Sequence, residues 1–246
     1  MARPRFGGTN RMPKRNGKLV NVLLWIVIAA ALLLGTGLLL YPTVSNWYNT
    51  SHASRAVAGY EKAISDMSEI EAHAMLSAAK AYNDSLYRDQ NRWEPDEERH
   101  KEYENLLDVT GTGIMSYIEI PCISVKLPIY HGTDEAVLSI AVGHMEGSSL
   151  PIGGLGAHTV LSGHSALPSA KLFTDLSKVQ VGDTFYVSTL NETLTYQVKE
   201  INTVLPHELE LLTLDQARDL CTLVTCTPYG VNSHRLLVTG ERVSAD

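Results

Sequence analysis

Cysteine is scarce in this chain of 246 residues: there are three, Cys122, Cys221 and Cys226. An odd and sparse set leaves at least one thiol free in a monomer and excludes a small fold stapled by disulfides. No two of them form a C-x-x-C pair, and no tight His/Cys cluster has zinc-ligand spacing, so no metal is expected. Basic charge is also scarce beyond the N-terminus. Residues 1–18 carry Arg3, Arg5, Arg11, Lys14, Arg15 and Lys18 and no acid, which leaves 14 basic against 27 acidic residues for the rest, a net −13. A body without clustered Lys and Arg gives no reason to expect nucleic acid as a partner. It tolerates basic protein substrates. There is no internal repeat. What remains is a globular composition, 44% hydrophobic and 19% charged, long enough for one sizeable domain with accessory segments.

Charge is missing altogether from Leu19 to Tyr41, where only Asn21 and Thr36 are polar. These residues, as a helix, span about 34 Å, enough to cross a hydrocarbon core of roughly 30 Å. The basic residues ahead of the run place the N-terminus in the cytoplasm and residues 42–246 outside. Membrane lipid is thus the expected partner of residues 19–41, with Trp25, Tyr41, Trp47 and Tyr48 as interfacial anchors. A cleaved signal peptide is the competing reading. Its apolar region is usually shorter, and the nearest A-x-A pattern, Ala56-Val57-Ala58, lies well past the run.

Residues 43–90 are rich in Ala, Leu, Met, Glu and Lys and predict two helices, Ser45–Ser65 and Ser68–Tyr87, the second capped by Ser68. With the loop that follows they read as a solvated stalk over 42–110. Residues 88–104 are so polar that a loop is expected, with Trp93 the exception. From Ile114 the pattern changes to short β-rich runs: 116–120, 125–130, 159–162, 184–190, 192–204, 222–227 and 235–239. Turn signals such as Gly153-Gly154 and Gly182-Asp183 separate many of them. Short helical stretches are expected at 169–176 and 214–220. Many short strands with intervening turns indicate a closed barrel or a sandwich over 111–246.

The informative segment is Leu223-Val224-Thr225-Cys226-Thr227-Pro228-Tyr229-Gly230: a β run ends at a cysteine, then Pro and Gly break the chain. That places a thiol at a strand terminus. Cys221, at odd parity to Cys226, points to the opposite face and is expected to be packed away, as is Cys122. If strands 226–227 and 235–238 pair, the loop between them returns Arg235 toward the thiol. There it favours negative charge on sulfur or on a carbonyl oxygen under attack. A base or acid should complete the set. Nine histidines compete for it; His52, His73 and His100 are expected to face solvent, and His164 stands at a strand end, where scaffolds hold catalytic groups.

At this point the chain resembles a known family. Thr222 to Val238, TLVTCTPYGVNSHRLLV, is similar to the active-site signature of sortases, in particular the pilus-assembling class C type. Tyr117–Pro121, Leu127–Thr133, Gly143–Pro151, Leu161–His164 and Leu167–Phe173 match as well. The similarity covers about residues 42–242. It implies a mainly β fold, a closed eight-stranded barrel with short helices, preceded by the transmembrane helix and an extracytoplasmic helical segment. It implies a catalytic set of Cys226 as nucleophile, His164 as acid and base, and Arg235 as oxyanion stabiliser, with no cofactor or metal. His131 and His144 match positions without a catalytic role.

The implied activity is transpeptidation at the cell surface. A sorting signal resembling Leu-Pro-x-Thr-Gly is cut through a thioester, and the acyl group passes to a lysine amine of another pilin. The partners are then pilin subunits, with the enzyme a monomer. Class C members usually carry a lid with an Asp-Pro-aromatic motif. This chain has Trp93-Glu94-Pro95-Asp96, the same residue kinds in another order, so Trp93 and Asp96 are the candidate lid residues. Ser165 stands where relatives usually have Arg, and a single N-terminal anchor is expected. Three other readings stay open: a sortase that uses a cell-wall peptide amine, a tethered pilin-binding domain without catalysis, and a hydrolytic cysteine peptidase.

Overall fold

A computed structural model of the chain describes residues 17–243. Most of the basic tail expected over 1–18 lies outside the described residues. Residues up to Tyr41 form one unit and those from Pro42 onward a second.

The apolar run and the first expected helix are one element, α1 (Gly17–Ser65), with Pro42 inside it. Its residues from Val20 to Tyr41 leave their large apolar side chains exposed, and the helix is long and apolar enough to cross a membrane. After a short turn comes α2 (Glu69–Leu86). Its start is the capping box expected at Ser68: the Ser68 hydroxyl accepts the Glu71 N–H at 3.3 Å, and the Glu71 carboxylate accepts the Ser68 N–H at 3.0 Å. The Ser68 hydroxyl also donates to the Glu71 carboxylate at 2.8 Å, and this bond, with that from the Ser68 N–H, holds the Glu71 carboxyl below its ordinary range.

Two expectations for this region need correction. Residues 88–104 are not a loop throughout, because α3 (Glu97–Asn105) forms within them. Asp96 caps it by accepting the Arg99 N–H at 2.9 Å, and Glu97 and Glu98 occupy the positive end of the helix dipole. Nor is the 42–110 segment a solvated stalk. Tyr60 and Ile64 from α1, Ala79, Tyr82 and Leu86 from α2, and Tyr103 from α3 are buried in the same core as Met115, Ile118 and Ile129 of the β domain.

Eight strands follow: β1 (Ile114–Ile120), β2 (Val125–His131), β3 (Val142–His144), β4 (His158–Ser162), β5 (Thr184–Thr189), β6 (Glu192–Val204), β7 (Leu220–Thr227) and β8 (His234–Arg242). They close into a barrel in the order β1-β2-β3-β4-β7-β8-β6-β5. The pairs β2–β3 and β4–β7 are parallel and the rest antiparallel. The main core lies inside, filled among others by Phe185, Tyr196, Val198, Leu223 and Val238. Period-2 alternation decides which strand residues enter it: Cys221, Leu223 and Thr225 are buried, whereas Val224 and Cys226 are partly exposed on the other face. β3 has only three residues and was not legible as a strand. The helices expected at 169–176 and 214–220 are turns; the one further α-helix among the described residues is α4 (Glu135–Leu138), between β2 and β3.

Candidate active site

The site grows from three adjacent strands. β7 and β8 pair antiparallel with Cys226 directly opposite Arg235, Val224 opposite Leu237 and Thr222 opposite Thr239. Residues facing each other across an antiparallel pair share a face, with Cβ atoms about 4.5–5.5 Å apart. The thiol and the guanidinium therefore emerge side by side on the outer wall of the barrel. β4 runs parallel to β7 on its other side, with Ser162 level with Val224.

Past the end of β4 the chain stays beside β7 through side-chain bonds. The Gly163 N–H donates to the Val224 carbonyl at 3.0 Å, the Thr225 hydroxyl donates to the Gly163 carbonyl at 2.7 Å, and the Ser165 hydroxyl donates to the Cys226 carbonyl at 2.7 Å. His164 lies between the last two of these links, so its backbone is held next to the end of β7. Gly163 is required here: a Cβ would meet the Phe173 ring at 2.6 Å. Phe173 itself is tied back by its N–H to the His164 carbonyl at 3.0 Å.

Cys226, His164 and Arg235 are all partly exposed. The guanidinium donates to the carbonyls of Asn232 and His234 at 3.3 and 3.2 Å, bonds within its own loop. No carboxylate pairs with it among the described residues, so no ion pair neutralises its charge. His164 Nε2 lies 3.3 Å from the Glu135 carboxylate of α4. Glu135 is 80% exposed, so solvent limits this pair to about 1 kcal/mol or less. Beside Arg235 an apolar groove is lined by Leu138, Met145, Val204, Leu209, Val224 and Leu237.

The other thiols are differently placed. Cys221 is fully buried, and burial, with the Asp219 charge adding, pushes its thiol well above the ordinary range. Cys122 is exposed, contrary to the expectation that it is packed away. It sits in the turn after β1, where partial burial and then Asp183 raise its thiol. His144 is buried with Tyr103 and Ser149 as hydrogen-bond partners, and desolvation pulls it down to about 4.

Trp93 and Asp96 do not act together. Asp96 is occupied in capping α3. Trp93 packs partly buried with Val160, Leu212 and Leu237, in the small apolar cluster that adjoins the groove. Its neighbour Arg92 is buried, donates to the carbonyls of Gly147 and Leu212 at 2.9 Å each, and stacks on the Trp93 ring.

A family model described as "Sortase domain" matches residues 118–243. Among solved structures, sortase C1 of Streptococcus agalactiae is 48% identical with a TM-score of 0.75, covering 78% of this chain and 100% of that one. The chain belongs to the sortase family. Sortases are cysteine transpeptidases. Sortase C of Streptococcus pneumoniae is 39% identical, with a TM-score of 0.69 over 78% of this chain and 97% of that one. A curated relative, sortase A of Bacillus anthracis, is 29% identical over 131 residues, 53% of this chain and 60% of that protein. The chain spans between 56% and 63% of the length of the curated relatives it matches. The eight-stranded barrel expected from the resemblance is the fold observed. Sequence reasoning missed two residues of this candidate site. Glu135 lies on a four-residue helix 29 positions before His164, and Ser165 was noted for its departure from relatives without its bond to Cys226 being foreseen.

Proposed function

We propose that this sortase is membrane-anchored through residues 19–41 and polymerises pilins, with Cys226, His164 and Arg235 carrying the reaction. The observation that supports the catalytic set is the register of β7 against β8. It sets a partly exposed thiol beside an unpaired guanidinium, with His164 hydrogen-bonded alongside through its neighbours. The Cys226 sulfur attacks the threonine carbonyl carbon of a Leu-Pro-x-Thr-Gly-like signal. Negative charge gathers on the carbonyl oxygen, where Arg235 stabilises it. The Thr–Gly bond breaks, His164 gives its proton to the departing glycine amine, and a thioester remains on Cys226. In the second half an incoming lysine amine attacks the thioester carbonyl. His164 takes a proton from it, the sulfur leaves, and an isopeptide bond joins two subunits. The apolar groove beside Arg235 suits the Leu-Pro part of such a signal, and Trp93, packed in the apolar cluster that adjoins it, is the candidate lid residue.

The pilin assignment is supported by the likeness to the Streptococcus pneumoniae enzyme, which is described with a pilin substrate specificity. The anchor is supported by the apolar first part of α1, and the outside placement proposed for residues 42–246 by the basic residues ahead of it. The test is to supply a purified pilin carrying a sorting signal and look for a ladder of covalent multimers that Cys226→Ala does not make. Transfer solely to a peptidoglycan-type peptide amine would replace pilin polymerisation by wall anchoring. Cleavage with water as the sole acceptor would point to a peptidase.

A further inference from the structure

The two loops that border the site are free of acid. Residues 163–171 and 226–235 contain no Asp or Glu, in a chain that has 27. At the tip of the loop between β7 and β8, Tyr229 and Val231 are each 69% exposed. Tyr229 lines one open cleft together with Pro42, Thr43, Asn46, Leu167 and Pro168. That cleft is fixed to α1 by two hydrogen bonds: Asn46 accepts the Lys171 N–H at 2.8 Å, and the Asn49 amide donates to the Ser169 carbonyl at 2.7 Å.

Pro42 follows directly on the apolar run that ends at Tyr41. Asn46 follows Tyr41 by five residues, so the chain keeps it within about 18 Å of the end of the apolar run. A bilayer of about 40–45 Å with a hydrocarbon core of about 30 Å leaves one interfacial layer on each side. A loop bonded at Asn46 and Asn49 is therefore tethered within reach of the headgroup layer. Tyrosine suits that layer, with an apolar ring and a polar tip. A carboxylate pressed against lipid loses hydration at a cost of several kcal/mol, and these two loops carry none.

We propose that the 165–171 loop and the loop between β7 and β8 form a bilayer-contacting rim, with Tyr229 and Val231 seated in the lipid interface. The proposal rests on the reading of residues 19–41 as a membrane anchor. Cys226 precedes Tyr229 by three residues, at most about 10 Å of extended chain, so the thiol works close to the lipid surface. A sorting signal presented at the membrane then reaches it without leaving that surface.

The experiment uses the full chain in vesicles of phosphatidylcholine and phosphatidylglycerol, in a Cys122→Ala, Cys226→Ala background whose remaining Cys221 is buried. A nitroxide is attached in turn to Leu33→Cys, Val231→Cys and Leu155→Cys, the last an exposed apolar residue away from the rim. Its collisions with oxygen and with a water-soluble nickel chelate are read by electron paramagnetic resonance. Positions 33 and 231 should favour oxygen, with nickel collisions at 231 several-fold below those at 155. If 33 is shielded while 231 is as open to nickel as 155, the anchor stands and the rim proposal falls. If 33 is itself open to nickel, the anchor fails and takes the proposal with it.

Discussion

Three thiols share one barrel and differ in what surrounds them. Cys221 faces inward and has no route to a substrate; Cys122 is exposed on a turn beside an aspartate; Cys226 stands opposite Arg235. Replacement of Cys226 by Ala should abolish acylation. Replacement of Arg235 by Ala should slow it by roughly two to three orders of magnitude, the usual loss for an oxyanion partner. Cys122→Ala and Cys221→Ala should retain most activity. Mass spectrometry of enzyme incubated with a sorting-signal peptide, read with the circular dichroism spectrum of each variant, checks all four. Inactivation of folded Cys221→Ala would mean that the wrong thiol was chosen. His144 makes a second point at this scale. Its folded value is about 4 and its unfolded value about 6.5. Between these, the unfolded chain binds a proton that the folded chain refuses. The neutral ring's contribution is thus complete above pH 6.5 and is lost as pH falls through 4, up to about 3 kcal/mol. Thermal unfolding followed from pH 7 to 4 should show a steeper fall for the native chain than for His144→Gln. Equal slopes would assign the acid sensitivity to other groups.

Among the elements, the segment joining α2 to α3 is held by the buried Arg92, with Arg99 pairing to Asp89 at 3.3 Å. Arg92 spends two donors on the carbonyls of Gly147 and Leu212, and its guanidinium carries the Trp93 ring. Arg92→Ala removes both bonds and leaves two carbonyls to water, so residues 88–96 should exchange backbone amides much faster. β7 and β8 should keep their protection. Hydrogen exchange by mass spectrometry decides it, and unchanged exchange over 88–96 would show that Trp93 packing and the Arg99–Asp89 pair suffice to fix the segment. This segment also shows where reading the sequence runs out. β7 and β8 were legible as β-rich runs at 222–227 and 235–239 separated by Pro228 and Gly230, and their pairing was expected to return Arg235 toward Cys226. α3 was not, because only Tyr103 of its nine residues is buried, and a helix so polar has no apolar stripe to read. β3 is too short for any period. Glu135 and Ser165 reach His164 and Cys226 through tertiary placement that no local spacing encodes.

At the scale of the molecule, the strands close the barrel but do not alone cover its core. Tyr60 of α1 donates its hydroxyl to the Met115 carbonyl at 2.8 Å and accepts the Leu190 N–H at 3.0 Å, joining the helix to β1 and to the turn after β5. Burial without water pushes the Tyr60 phenol up to about 12, so it stays a donor across the working pH range. Tyr103 of α3 likewise accepts the Gly132 N–H at 2.9 Å beside β2. Removing the helices strips these partners and uncovers Ile118, Ile129 and their neighbours in the shared core. Each buried large side chain lost from such a core costs about 2–5 kcal/mol, and each orphaned buried polar group about 1–3 kcal/mol. A domain of this size is stable by only about 5–15 kcal/mol in total. Residues 111–246, although they contain the whole stretch matched by the family model, should therefore not fold as an isolated fragment. The fragment should lack near-ultraviolet dichroism and bind a hydrophobic dye, whereas a chain beginning at Pro42 should do neither. A fragment 111–246 that melts cooperatively near the temperature of the longer chain would show that the helices dress the barrel without holding it together.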